Sequence, residues 1–149
     1  MIKMVNNIEE AKKCDILLSK LINDEKKYNS NINIARTIDY YSNIYTKDDN
    51  YLFVAIEEDI VGYIYLKIIK GSDVCEDKDT AIIDALYVEE EYRNKKIATN
   101  LIKEAIDFLK IKQIDYVTIS VISNNEVAKK LYQKLGFNEY SISLKYDLN

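Results

Sequence analysis

The chain has 149 residues, which suits a single domain, and 48% of them are hydrophobic, enough to build a buried core. Its 25 acidic and 21 basic residues give a formal net charge of −4. A nucleic-acid-binding surface is normally strongly basic, so we expect no nucleic-acid partner. The chain has no histidine, which excludes Ser-His-Asp and Cys-His catalytic triads and histidine-ligated zinc sites. Any catalytic acid or base must therefore be Tyr, Asp, Glu, Lys, Cys or a bound water, and we expect no metal.

The cysteines and the apolar stretches indicate where the protein works. Cys14 and Cys75 are far apart and belong to no CxxC motif, so we interpret them as reduced thiols of a cytoplasmic protein. The first residues lack the apolar run of a signal peptide, and no stretch is long enough to span a membrane. We expect one cytoplasmic domain over residues 1–149, without a membrane partner.

The first half of the chain is predicted to form strand, helix, helix and hairpin, in that order. A short strand at residues 2–5 precedes a helix at 8–28, whose apolar residues recur at helical spacing. A second helix is predicted at 34–45, although its Tyr and Ile content also suits a strand. The β-branched and aromatic runs at 51–56 and 60–69 predict a hairpin.

The second half alternates strands with helices. A strand at residues 80–88 is followed by a helix at 96–111 and a strand at 116–122. The spacing Ser123-x-x-Glu126 is typical of a capping box, so the next helix should start there, run to residue 135 and end at Gly136. A last strand is predicted at 140–148. The order implies a right-handed β-α-β crossover and an α+β fold with a mixed sheet.

The junction of the third long strand and its helix, residues 86–99, is the first candidate site. Backbone N–H groups at a helix start, together with the helix dipole, bind anions. Lys95 and Lys96 add two positive charges, and Arg93 is one of only two arginines in the chain. This combination suits a pyrophosphate, although an ordinary solvated loop would carry a similar charge run.

The last helix supplies the second candidate. Val127, Leu131 and Leu135 form an i, i+4, i+8 apolar row, and Tyr132 lies beside it, where its ring can pack while its hydroxyl reaches a cleft. A core tyrosine is the simpler interpretation in a chain with 13 tyrosines. Spacing alone does not single out Tyr132.

Together the two segments resemble the acetyl-CoA core of the GNAT superfamily of N-acetyltransferases. The matching residues are Leu86, Tyr87 and Val88, then Tyr92, Arg93, Asn94, Lys95, Lys96, Ile97, Ala98 and Thr99, and finally Asn125, Ala128, Leu131, Tyr132, Gly136 and Phe137. The resemblance covers residues 80–140, and the paired strands around Gly62 extend it back to about residue 50. One position departs from the family's usual Arg/Gln-x-x-Gly-x-Gly/Ala turn, because Lys96 replaces its first glycine. We expect Lys96 to lie within the first helical turn and to present its N–H as glycine would.

The resemblance implies a single-domain GNAT-like fold with a mostly antiparallel mixed sheet, helices on both faces, and a splayed pair of parallel strands that holds acetyl-CoA as co-substrate. Backbone groups of the first strand would contact the pantetheine arm, the turn would bind the pyrophosphate, and Asn125 would hold the arm of the cofactor. The implied contacts are Leu86, Tyr87, Val88, Arg93, Asn94, Lys95, Lys96, Ile97, Ala98, Thr99 and Asn125.

The resemblance also implies a mechanism. An amine attacks the thioester directly, a backbone N–H near Val88 stabilises the oxyanion, and Tyr132 protonates the departing thiolate. Asp84 is the only carboxylate within residues 80–88, and it is our candidate for the general base, or equally a structural strand residue. Asp24 and Glu25 are candidates for lining the acceptor groove, although a solvated helix end would also contain such residues.

We therefore expect an acetyl-CoA-dependent N-acetyltransferase that acts on a small-molecule or protein amine, as a monomer or homodimer. The alternative is a non-catalytic acyl-CoA-binding or regulatory module on the same fold. Retention of Tyr132 favours the enzyme, and Lys96 in place of glycine keeps the alternative open.

Overall fold

The computed structural model describes residues 1–28, 38–71 and 78–149. Predicted and observed boundaries agree closely from the hairpin to the third helix, whereas the elements at both ends are shorter than expected. A short 3₁₀ turn, Glu90–Tyr92, precedes that third helix. The elements are β1 (Ile2–Met4), α1 (Ile8–Glu25), α2 (Tyr40–Ile44), β2 (Asn50–Ile56), β3 (Ile60–Ile69), β4 (Thr80–Val88), α3 (Ile97–Ile111), β5 (Val117–Ile119) and α4 (Glu126–Lys134).

The strands form one mixed sheet in the order β1-β2-β3-β4-β5. The first three pairings are antiparallel, and β4 and β5 run parallel. Helix α3 connects the two parallel strands, as a β-α-β crossover requires. The prediction of an α+β fold with a mostly antiparallel sheet is confirmed.

Helices cover both faces of this sheet, because the central strands are apolar on both sides. On β3, Ile64 and Leu66 point into the core under α3, whereas Tyr63 and Tyr65 point into the core under α1 and α2. All four side chains are buried. A strand buried on both faces is apolar almost throughout, and this explains the continuous run from residue 60 to 69.

A β-bulge interrupts β4 near its centre. Tyr65 lies opposite Ala85 and Leu66 lies opposite Ile83, so Asp84 has no partner on β3. Such an extra residue locally disrupts the ladder and re-aims side chains. As a result Asp84 is exposed within an otherwise covered strand.

The start of α4 differs from its prediction. The N-cap is Asn125, whose side-chain oxygen accepts a hydrogen bond from the Ala128 N–H at 3.2 Å. The capping box that begins at Ser123 is therefore wrong, because the cap must directly precede the helix and Asn is as good a cap as Ser. Gly136 ends the helix as predicted, with a φ of 101° that glycine tolerates best.

Several predicted boundaries need correction. Helix α1 ends at Glu25, before residue 28, and β5 spans three residues where seven were predicted. The strand predicted at 140–148 is wrong, because no strand of the described ranges pairs with that segment and its large apolar side chains are exposed. The second helix begins at Tyr40 within the described part, and the rest of its predicted range includes residues 34–37, which lie outside it.

The cysteines and the membrane prediction have separate outcomes. Cys14 is a free, buried thiol in α1, and burial raises its pKa to about 12. Cys75 lies outside the described residues. Within the described ranges, no helix is both long and apolar enough to cross a membrane.

Candidate active site

A gap opens between the two parallel strands. Strand β5 pairs with β4 only at Ala81, Ile82 and Ile83, whereas β4 continues to Val88. Beyond the paired segment, the described part of the chain places no strand against this edge of β4. The predicted splayed pair is thus present, and its open side begins at Asp84.

The register of β3 and β4 decides which backbone groups face the gap. The Glu89 N–H donates to the Val61 carbonyl at 2.8 Å across the Gly62–Val88 pair. That pair is therefore of the non-hydrogen-bonded type, in which both residues turn their backbone groups away from each other. Val88, and Leu86 two residues earlier, accordingly direct N–H and C=O into the gap. The backbone of Tyr87 is turned towards β3, so it is not one of the groups facing the gap.

Gly62 on β3 permits the close approach of β4 at Tyr87 and Val88. A Cβ at Gly62 would lie 2.9 Å from the Tyr87 carbonyl oxygen and 3.2 Å from Val88 Cγ2. Contacts this short would push β4 away, so no larger residue fits at this register. Gly62 therefore fixes the position of Val88 at the mouth of the gap.

The turn after β4 presents the start of α3. Lys96 is the N-cap, with φ 64° and ψ 14°, and no side chain of the described residues caps the helix. The prediction that Lys96 lies in the first helical turn is wrong: it lies one residue earlier, in the left-handed region that glycine favours. The first N–H groups of α3, at Ile97, Ala98 and Thr99, have no intrahelical acceptor. Such a helix start suits an anion.

This conformation makes Lys96→Gly a test of the turn. Because a left-handed non-glycine residue costs about 1 kcal/mol or more, the variant should be more stable by about 1 kcal/mol. We expect a higher denaturant midpoint with an unchanged m-value. Lys95→Gly is the control, since Lys95 is not in the left-handed region and should gain nothing. Equal effects of the two substitutions would contradict the assignment.

Arg93 ties the turn to its surroundings. Its Nε donates to the Val88 carbonyl at 2.8 Å and its Nη2 to Asp24 Oδ2 at 2.7 Å, and its guanidinium lies 5.3 Å from the centre of the Tyr87 ring. The guanidinium is therefore held in protein contacts. Because Arg93 occupies the Val88 carbonyl, the Val88 N–H is the donor that this residue presents to the gap.

The other predicted cofactor contacts differ in which side-chain or backbone groups they can offer to a ligand. Asn94, Lys95 and Lys96 are exposed, whereas Ile97 is buried and can offer only its N–H. The Lys95 ammonium lies 5.0 Å from the centre of the Tyr92 ring. The side-chain oxygen of Asn125 caps α4, so its amide NH₂ is the part available to a cofactor arm.

Tyr132 lies on α4 and is half-buried against the core under α3. Its ring centre is 5.9 Å from that of Phe137. Burial, with the negative charge of Glu25, raises the pKa of Tyr132 to about 12. The phenol is therefore protonated throughout the neutral range, and Glu25 at the end of α1 is near enough to influence it.

Glu25, at the end of α1, lies near enough to Asp84 on β4 to be influenced by its charge. Burial raises the pKa of Glu25, and the charge of Asp84 raises it further. Across the described ranges neither forms a salt bridge, whereas Asp24 is paired with Arg93. The two acidic residues at the end of α1 thus differ: Asp24 is paired with Arg93 of the turn, whereas Glu25 is influenced by the charge of Asp84.

A buried tyrosine pair beside these carboxylates was missed by the sequence analysis. The hydroxyls of Tyr41 and Tyr63 lie 2.9 Å apart. Burial raises the pKa of both, and the charge of Asp84 adds to the effect. The signal that could have located Tyr63 is its alternation with Ile64 along β3, which places it on the face opposite the aliphatic core.

Comparisons with known proteins agree with this geometry. Residues 18–137 match the model of the Acetyltransferase (GNAT) family. The chain is 29% identical over 100 residues to N-alpha-acetyltransferase 30 of Schizosaccharomyces pombe, a match that covers 65% of this chain and 63% of that protein. The chain thus spans less than two thirds of the length of this relative.

Solved structures share the fold over the whole chain. A point mutant of the BH1408 protein from Bacillus halodurans superimposes with a TM-score of 0.84 at 17% identity, covering 100% of this chain and 99% of that one. An aminoglycoside N-acetyltransferase, AAC(6')-Iy in complex with CoA, superimposes with a TM-score of 0.75 at 16% identity, with coverage of 100% and 99%.

Proposed function

Since the chain belongs to the GNAT family of acetyltransferases, we propose that it transfers an acetyl group from acetyl-CoA to a primary amine. The observation that carries the proposal is the gap beside β4. Leu86 directs its N–H and C=O into this gap and Val88 directs its N–H, next to the start of α3, whose first N–H groups have no intrahelical acceptor. An extended amide-containing arm can bind such an edge as an added strand would. The helix start suits the pyrophosphate at the other end of the same ligand.

In this proposal the turn binds the anionic end of acetyl-CoA. The N–H groups of Ile97, Ala98 and Thr99 would contact the pyrophosphate, and Lys95 and Lys96 would add positive charge from the solvent side. Arg93 would act through the turn that it anchors. Acetyl-CoA supplies the activated acyl group, and the residues of the chain orient it.

Acetyl-CoA is expected to raise the Tm of the protein, and a Lys95→Glu/Lys96→Glu variant should reduce that increase. A ligand at one hundred times its Kd stabilises by about 2.7 kcal/mol, or about 5–10 °C for a domain of this size. Differential scanning fluorimetry against acetyl-CoA concentration measures both effects. Lys103→Glu/Lys110→Glu makes the same charge change at exposed sites further along α3 and should keep the full shift. Equal losses in both variants would show that the two turn lysines have no specific role.

The proposed acyl-transfer step uses two groups of the chain. The free amine attacks the thioester carbonyl carbon, and the Val88 N–H donates a hydrogen bond to the developing oxyanion. As the tetrahedral intermediate collapses, the C–S bond breaks and the thiolate departs with its electron pair. Tyr132 donates a hydrogen bond to that thiolate. The proton that the amine nitrogen loses neutralises the negative charge of the thiolate sulfur.

The raised pKa of Tyr132, about 12, refines its role. A free thiol has a pKa near 8.5, so the buried phenol is the weaker acid. We therefore expect Tyr132 to stabilise the thiolate by hydrogen bonding. The thiolate would then take up the proton released by the ammonium group of the intermediate, which is a far stronger acid than the phenol.

The acceptor in this proposal is a cationic amine. Glu25 and Asp84 form no salt bridge within the described residues. Burial and, after it, the charge of Asp84 raise the pKa of Glu25, and a positive charge beside the two carboxylates would offset that repulsion. Asp84 would accept a proton from the ammonium, because only the free amine is nucleophilic. A screen of primary amines by release of free CoA tests this, and neutral or anionic acceptors should react most slowly.

A non-catalytic acyl-CoA-binding module is the second candidate, and the left-handed Lys96 is the observation that favours it. A side chain at this position can crowd the pyrophosphate without abolishing binding. The two functions separate in one pair of measurements. Calorimetric CoA binding with no CoA release over the amine panel would establish the binding module, and turnover of any amine would establish the enzyme.

A further inference from the structure

Helix α1 contains a buried carboxylate. Asp15 is 8% exposed and is the only charged side chain that is buried among the described residues. No ion pair within residues 1–28, 38–71 and 78–149 includes it. Burying a charge is costly unless hydrogen bonds compensate for the lost water. The hydrogen-bond partners of Asp15 therefore indicate what it does.

Within the described residues, the partners of the Asp15 carboxylate lie at the start of α2. The Tyr41 N–H donates to Oδ1 at 2.6 Å, and Ser42 donates to Oδ2 with its N–H, at 3.3 Å, and with its hydroxyl. These are the second and third N–H groups of the helix, which an N-cap side chain normally satisfies. The N-cap of α2, Asp39, has a left-handed backbone and forms no such bond. Asp15 therefore supplies the cap of α2 from another helix.

This cap determines where α2 lies. A helix of five residues, Tyr40–Ile44, is too short to be stable without tertiary contacts. A second anchor is Tyr41, whose side chain is buried and whose hydroxyl lies 2.9 Å from that of Tyr63. The ring centre of Tyr41 is 5.2 Å from the ring centres of both Tyr63 and Tyr65. Asp15 thus holds Tyr41 against β3.

Strand β3 connects Tyr41 with the bulge of β4. Tyr65 lies opposite Ala85, and Asp84 is the unpaired residue directly before Ala85. Burial raises the pKa of both hydroxyls of the buried tyrosine pair, and the charge of Asp84 contributes to the shift. A continuous series of contacts therefore joins Asp15, through α2 and β3, to the segment that carries Asp84.

We propose that Asp15 is a positioning residue for acetyl transfer: by capping α2 it holds Tyr41 on β3 and so fixes the bulge that presents Asp84 to the amine. The inference rests on the proposed function, because it takes Asp84 as the base that accepts the proton of the ammonium. Asp15 is bonded to α2 and acts only through it. The register of β3 and β4 places the backbone groups proposed to bind acetyl-CoA, and α2 contributes no strand to that sheet. The affinity for acetyl-CoA should therefore not depend on Asp15.

A double-mutant cycle tests the proposal through kcat/KM for a cationic amine at pH 7. Asp15→Asn leaves one acceptor oxygen where two now receive three hydrogen bonds. It should lower kcat/KM about 10-fold and change the Kd of acetyl-CoA by less than about 2-fold. In the Asp84→Asn background it should cause almost no further loss, because no base remains to be positioned. Losses that multiply as if the two sites were independent would overturn the proposal.

Asn7→Ala is the matched control for a lost helix cap. The Asn7 side chain caps α1 and accepts a hydrogen bond from the Glu10 N–H at 2.9 Å. Its removal should lower the Tm, as the loss of a cap does, and leave kcat/KM unchanged. If Asn7→Ala lowers kcat/KM as much as Asp15→Asn does, destabilisation alone explains the loss, and the positioning role is overturned.

Ser42→Ala tests the same cap with the carboxylate in place, and it serves if Asp15→Asn does not fold. It removes one of three donated hydrogen bonds, so kcat/KM should fall about 3-fold, again with no further loss in the Asp84→Asn background. Hydrogen exchange measures the cap directly. The Tyr41 and Ser42 amides should exchange at least about 10-fold faster in Asp15→Asn, or in Ser42→Ala in its place, than in wild type. Unchanged exchange would overturn the proposal.

The same measurements distinguish failure of the positioning role from failure of the proposed function. A wild type that turns over amines, with kcat/KM unchanged in Asp15→Asn and Ser42→Ala, would overturn the positioning role alone. A wild type that turns over no amine would overturn acetyl transfer, and the positioning role with it.

Discussion

Tyr132→Phe is expected to lower kcat by roughly 10²–10⁴ while leaving the affinity for acetyl-CoA almost unchanged. The substitution keeps the ring that packs beside Phe137 and removes only the hydroxyl. If that hydroxyl stabilises the departing thiolate, its loss acts on the transition state and not on the bound ground state. Steady-state kinetics with a saturating amine, together with calorimetric binding of acetyl-CoA, separate the two effects.

The control for this variant is Tyr51→Phe. Tyr51 also packs against the core under α3, with its ring centre 4.7 Å from that of Phe108, but it lies on β2, which is separated from β4 and the gap by β3. Both variants should retain the wild-type Tm within a few degrees, and only Tyr132→Phe should lose turnover. A kcat equal to that of wild type would show that the thiolate leaves without help from this hydroxyl.

The pH dependence follows from the raised pKa of Tyr132, about 12. A raised pKa keeps the phenol in its neutral, donating form up to high pH, so its hydrogen bond is present across the whole assay range. We therefore expect no loss of kcat from this group below about pH 11. A descending limb between pH 8 and 10 would assign the pH dependence to another group.

The sheet was predictable from sequence because its signal is local. The β-branched and aromatic runs that form β3 and β4 carry the period and length of strands, and the observed bounds match those predicted. The bulge at Asp84 was not predictable. Ala81, Ile83, Ala85 and Tyr87 alternate without a break in the sequence, and only the register with β3 reveals the extra residue.

The candidate site was predictable to the level of residues but not of conformation. The sequence pattern indicated the turn and Tyr132. The left-handed backbone of Lys96 depends on how α3 docks after β4, and a lysine at this position does not indicate that conformation. Residues 140–148 show the opposite failure. Their alternation is that of a strand, but a strand also needs a neighbour to pair with, and the alternation of a single segment does not supply one.

Asp84→Asn should depress kcat/KM by about 10²-fold near neutral pH, and the deficit should shrink as the pH rises. The substitution preserves shape and removes the proton acceptor. An alkyl-ammonium acceptor has a pKa near 10.4, so at pH 7 almost all of it must be deprotonated at the site, whereas at pH 10 much of it arrives free. The expected signature is two pH profiles that converge at the alkaline end.

Two further variants identify what Asp84 contributes. Glu25→Gln removes the neighbouring carboxyl group but leaves the proposed base. Burial and the charge of Asp84 raise the pKa of that carboxyl group. The variant should raise KM for cationic amines with a smaller loss of kcat, since it weakens attraction and not proton transfer. Asp107→Asn, at an exposed position on α3, should change neither constant. If the pH profile of Asp84→Asn is parallel to that of wild type, with no loss of kcat/KM at pH 7, Asp84 is eliminated as the base. That result would transfer the role to a water held by backbone carbonyls or by Ser120, which follows β5 directly across the gap.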